Sequence, residues 1–209
     1  MTPRRSRGRP KLEDIAQIES RLLAVALAEF LKHGYGGTSI SRIVKSAGIS
    51  KTTFYARFSS KEQLFRAIVQ QEIERLSPAA SLRSESGPLE LVAGLISYAN
   101  RSLEISLEGE LLQFNRLIYS ESNRFPELGA SAADKTLLGI KRIADFIRRC
   151  AQSDSIPCRD PDGVAEAFIF MLRGWYIDVM LTNRTVPAAQ RRQWVERAVH
   201  ALVCARAQW

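Results

Sequence analysis

The sequence predicts an all-α protein, on three observations. Apolar residues recur at three- and four-residue steps along most of the 209-residue chain, the period of an amphipathic helix. No strand-like alternation of useful length occurs. Glycine and proline fall between the periodic stretches, where helices end.

Ile15 to His33 carries a wide apolar stripe (Ile15, Ile18, Leu22, Leu23, Val25, Ala26, Phe30, Leu31) that Gly34, Gly36 and Gly37 interrupt. Thr38 is placed to cap the next helix, whose inner face is Ile40, Ile43, Val44 and Ala47. Gly48 follows, a residue that ends a helix cheaply at positive φ. Ser50 can cap a second short helix by accepting a backbone N–H. That helix keeps Ile49, Phe54 and Phe58 inside and turns Lys51, Thr52, Thr53, Tyr55 and Arg57 outward. Helix, Gly-containing turn, then a short helix with a cationic, hydroxyl-rich outer face is a helix-turn-helix pattern. From Ser60, its expected N-cap, a longer helix runs to Pro78.

Residues 77–88 (SPAASLRSESGP) read as a loop, and a domain boundary is placed there. Helical patterns follow over Leu89–Leu107 and Glu110–Ser122. Another opens at Pro126 and turns apolar from Leu137, and the last two cover 161–183 and 187–207. The 161–183 helix is apolar nearly all round and needs partners on several faces. A second subunit is the expected cover, with full burial inside one chain as the other reading.

The charge is unevenly placed. Residues 1–77 hold 14 Lys and Arg against 7 Asp and Glu; residues 78–209 hold 16 against 15. A basic domain joined to a near-neutral one points to a polyanion partner for the first only. Residues 1–14 read as a disordered basic arm. Its Arg7-Gly8-Arg9-Pro10 has two readings: insertion into an A·T-rich minor groove, or a solvated tail attracted to phosphates. With no apolar run of membrane-spanning length and no secretory h-region, the cytoplasm is the expected compartment.

Three cysteines (Cys150, Cys158, Cys204) lack CxxC spacing and read as ordinary thiols. A redox pair of Cys150 and Cys158 is the alternative. The two histidines form no metal-ligand cluster. No nucleophile-elbow or phosphate-loop pattern is present. Neither cofactor, metal nor catalysis is expected.

GISKTTFYARFSSKEQLF resembles the DNA-binding core of the tetracycline-repressor (TetR) family of bacterial regulators. Gly48, Ile49, Ser50, Thr53, Phe54, Tyr55, Phe58, Lys61, Glu62 and Leu64 fall in the family's register. The upstream GYGGTSISRIVKSAG is also similar, with Lys45 where alanine is usual; Arg57 stands where histidine is frequent. LQFNRLIYSESNRFPELG (112–129) resembles a stretch of AefR-like C-terminal domains.

The resemblance implies a three-helix DNA-binding domain with its linker helix at 15–77, and a helical effector-binding and dimerisation domain at 78–209. It implies a homodimer through helices 161–183 and 187–207, resident on nucleoid DNA when bound. Thr38, Tyr55 and Lys61 are the candidates for phosphate contact; Lys51, Thr52, Thr53 and Arg57 for the groove. Arg42 and Lys45 are backbone contacts in this reading, and the Tyr55 ring has a rival role packing at the helix junction. Between the C-terminal helices an unidentified small molecule would meet Tyr98, Phe114, Leu117, Ile118, Phe168, Met171 and Trp175, side chains that also read as plain core. Asn115, Arg116 and Arg173 are polar groups able to orient a ligand. The function implied is a repressor of a palindromic operator, released by that ligand. The alternative is a DNA-binding protein with no small-molecule effector, partner-controlled or architectural.

Overall fold

The computed structural model describes residues 12–75, 90–155 and 158–206, apart from the side chains of 12–15, 75, 131 and 132. The described residues are helical and contain no strand. The chain divides into two compact units, one ending at Ser77 and the next beginning at Pro78. The Arg-Gly-Arg-Pro arm and the 77–88 loop lie outside the described residues.

The first unit holds α1 (Leu12–Gly37), α2 (Ile40–Ala47), α3 (Lys51–Tyr55) and α4 (Lys61–Arg75). Helix α1 begins three residues before the expected Ile15 and breaks at Gly34 (φ 68°, ψ 170°), a conformation that glycine adopts without steric cost. The break turns Tyr35 back into the unit. Its ring meets Phe30 and Phe65 at 5.7 and 4.9 Å, and Phe30 meets Phe65 edge-on at 5.1 Å. These rings join α1 to α4. Leu22, Ala26, Ile43, Phe54, Leu64 and Ile68 complete a core from all four helices.

The second unit holds α5 (Leu91–Leu107), α6 (Gly109–Glu121), α7 (Pro126–Asp154), α8 (Pro161–Leu181) and α9 (Ala188–Val203). Pro126 occupies the first turn of α7, where its missing N–H costs nothing. This 29-residue helix is continuous through the polar stretch before Leu137. Leu95, Ala99, Ile143, Ile147, Ala165, Phe168, Val195 and Val199 form a core shared by α5, α7, α8 and α9. Helices α5 and α7 approach closely at Gly94, where an added Cβ would lie 2.2 Å from the Phe146 ring. Within one chain α8 leaves Phe170 and Leu181 49% and 70% exposed.

Candidate nucleic-acid interface

Local chemistry builds the α2–α3 turn. The Ser39 hydroxyl caps α2, accepting the Arg42 N–H at 3.2 Å. Gly48 closes that helix in the left-handed region (φ 67°, ψ 33°), and the Ile49 N–H returns to the Val44 carbonyl at 3.0 Å. Two residues on, Ser50 caps α3: its Oγ accepts the Thr53 N–H at 3.0 Å and lies 2.9 Å from Thr53 Oγ1. Phe54 and Phe58 anchor α3 from below.

What α3 turns outward follows from that anchoring. Lys51, Thr52 and Tyr55 are exposed, and Thr53 and Arg57 are half-buried. The Tyr55 ring rests edge-on against Phe54 at 5.2 Å while remaining 53% exposed, so it packs at the junction and still reaches solvent. Arg57 lies back along its own segment, donating to the Thr53 carbonyl at 3.1 Å. Arg42 and Lys45 are exposed on α2. Arg21 of α1 stands beside the turn, its guanidinium 3.8 Å from where a Gly48 Cβ would sit. Sequence reading passed over Arg21 because it falls next to the apolar stripe of α1.

Thr38 and Lys61 make contacts within the unit. Thr38 does not cap α2; Ser39 does, one residue later. The Thr38 side chain is buried, its hydroxyl shared between the carbonyls of Gly34 and Glu29 at 2.9 and 3.1 Å. Lys61 turns its ammonium inward, donating to the carbonyls of Tyr35 and Thr38 at 2.8 Å each and lying 4.1 Å above the Tyr35 ring. Both side chains donate to backbone carbonyls at the end of α1 and the entry to α2. They hold the start of α2 in position.

In the second unit the expected effector residues divide. Tyr98 and Phe168 pack together with ring centroids 6.1 Å apart. Phe114, Leu117 and Ile118 share the buried face of α6. Met171 is partly buried against the core. Trp175 instead stacks on Trp194 of α9 at 4.6 Å. Arg173 donates to Tyr119 Oη at 3.2 Å and to Thr136 Oγ1, and Arg116 to Asn183 Oδ1 at 2.7 Å. The cysteines are free thiols. Burial pushes the Cys150 and Cys158 thiols up, the opposite of what thiolate redox chemistry needs. Among the described residues no three His, Cys, Asp or Glu side chains gather as a metal site, and no helix is long and apolar enough to cross a membrane.

A capped helix-turn-helix on a basic unit, followed by a separate helical unit, is the architecture of one-component bacterial transcription regulators, and comparison with known proteins agrees. Residues 22–68 match the family of bacterial regulatory proteins of the tetR type, and residues 93–207 match the AefR-like transcriptional repressor C-terminal domain. The chain belongs to the TetR family of transcriptional regulators, which bind DNA and are not enzymes. The repressor AcnR of Corynebacterium diphtheriae is 25% identical over 69% of this chain and 73% of its own length. The repressor ComR of Escherichia coli is 39% identical, over 35% of this chain and only a third (33%) of its own length. A solved TetR-family regulator from Mesorhizobium loti superposes with a TM-score of 0.71 at 26% identity, covering 91% of this chain and 97% of that one. The flavonoid-responsive regulator FrrA superposes at 0.67 with 28% identity and the same coverage.

Proposed function

We propose that the chain is a homodimeric repressor of a palindromic operator, working in the cytoplasm and released by a small molecule. The observation that carries the DNA-binding half is the α3 surface. A short helix, capped by Ser50 and floored by Phe54, offers Lys51, Thr52 and Tyr55 to solvent beside Arg42 and Lys45. In this reading residues 15–77 are the DNA-binding domain and 78–209 the effector and dimerisation domain. Lys51, Thr52, Thr53 and Arg57 enter the major groove, while Arg42, Lys45 and Tyr55 meet phosphates. Thr38 and Lys61 serve by holding α2 in register.

Two features support the remaining parts. Phe170, Gly174 and Leu181 lie exposed along one side of α8, with the Asp178–Arg184 ion pair between the last two, and large exposed apolar side chains are what a second subunit covers. Dimerisation through α8 and α9 would set two recognition helices against half-sites roughly 34–36 Å apart. Likeness to a regulator described as flavonoid-responsive, over most of both chains, supports a small-molecule effector.

Lys51→Ala tests the assignment. A lost base contact is expected to cost about 1–3 kcal/mol on the cognate operator and much less on random DNA, measured by gel shift at fixed salt. Equal losses on both would make Lys51 a phosphate contact.

A further inference from the structure

Arginines in the second unit that leave solvent fall into two groups. Arg148 meets Asp145 and Asp162, buried Arg191 meets Glu108 at 3.1 Å and Glu104 at 3.6 Å, and Arg206 meets Asp154 at 2.7 Å. Arg116 of α6 and Arg173 of α8 are also half-buried, yet among the described residues their partners are neutral. Arg173 has the hydroxyls of Tyr119 and Thr136; Arg116 has the Asn183 amide oxygen. Carboxylates farther along the same helices are engaged elsewhere, Glu121 with Arg124 and Asp178 with Arg184.

Arg116 and Tyr119 are one turn apart on α6 and Arg173 reaches Tyr119 from α8, so the two guanidiniums share a neighbourhood. Burial pushes the Tyr176 phenol well above its ordinary range; Tyr119 adds to that, whereas a hydrogen bond from Asn115 and the charges of Arg173 and Arg116 work against it. Tyr176 therefore stays a neutral phenol and supplies no counter-charge. Its hydroxyl donates to the Met180 sulfur at 3.4 Å. A partly desolvated guanidinium near a second one and without a carboxylate is costly, and an incoming anion relieves that cost. Ile169 and Ile177 sit one turn either side of Arg173 on the same partly buried face of α8, so the surface beside the charge is apolar.

We propose that Arg173, Arg116, Tyr119, Thr136 and Asn115 form an anion subsite at the α6–α7–α8 junction, which receives the carboxylate of an amphipathic organic acid whose apolar body lies along α8. A planar carboxylate matches the paired N–H groups of a guanidinium, with the Asn115 amide as a further donor. This deepens the reading of the second unit as an effector domain, on which it rests.

The test uses full-length protein and paired probes: hexanoate, decanoate and cinnamate, each against its methyl ester, read by protection against thermal unfolding and by release from operator. At least one acid is expected to bind about tenfold more tightly than its ester, the scale of a hydrogen bond to a charged group. Arg173→Gln should abolish that preference, and Arg173→Lys should restore part of it. Equal binding of acid and ester, or no protection by any acid, overturns the subsite. Acids that protect through Arg173 but leave DNA affinity unchanged would keep the subsite and overturn ligand-released repression. Should Arg173→Gln fail to fold, the wild-type contrast and Tyr119→Phe decide: Tyr119→Phe is to weaken acid more than ester, and an equal change in both counts against the subsite.

Discussion

In the first unit, Ser39, Ser50 and Ser60 each cap the helix that begins on the next residue, by accepting an N–H three positions along. In the second, Arg173 reaches across 54 residues to Tyr119 and Arg191 across 83 to Glu108. A cap needs only the residues that flank it, so a short helix can be set and aimed by its own sequence. A cluster assembled from distant helices exists only after the bundle has packed. The difference suits the two proposed tasks: α3 must hold one geometry against a groove of fixed shape, whereas the α6–α8 junction joins elements able to shift when a ligand arrives.

Core truncation gives the largest expected effect. Phe54 is fully buried beneath α3, and Phe54→Ala is expected to cost about 3–5 kcal/mol. Denaturant unfolding followed in both units should show the loss confined to the first, with operator binding lost alongside it. An equal shift in both would mean that they unfold as one.

Two glycine substitutions sharpen the contrast, because they fail for different reasons. Gly94→Ala drives a Cβ to 2.2 Å from the buried Phe146 ring, an overpacking of about 1–3 kcal/mol that should shrink in a Phe146→Leu background. Gly48→Ala meets nothing closer than Arg21 at 3.8 Å, but its φ of 67° strains any L side chain by about 1–2 kcal/mol. No partner substitution should relieve it. Double-mutant cycles by urea unfolding check both: coupling at Gly94 and none between Gly48 and Arg21.

That split also decides how much was legible before folding. Gly48, Ser50, Phe54 and Phe58 were readable because a turn, a cap and a helical face are properties of consecutive residues. The cap on α2 slipped by one, since Thr38 and Ser39 carry the same hydroxyl chemistry and only the break at Gly34 turns Thr38 inward. For Lys61 the sequence records the charge but not the Tyr35 and Thr38 carbonyls that the fold brings to it. In the second unit the helices were legible, α7 from its opening proline at 126 onward. The stacking of Trp175 on Trp194 and the missing carboxylate at Arg173 depend on packing between helices, and no spacing along one helix encodes them.

The central claim is that two copies of α3 read DNA as a symmetric pair. Selection of purified full-length protein on random-sequence and genomic DNA, with sequencing of what is retained, tests it most directly. The account predicts an inverted repeat whose half-site centres lie about one helical turn apart. Enrichment of A·T-rich DNA without dyad symmetry would contradict it and point to an architectural protein held by charge and groove shape.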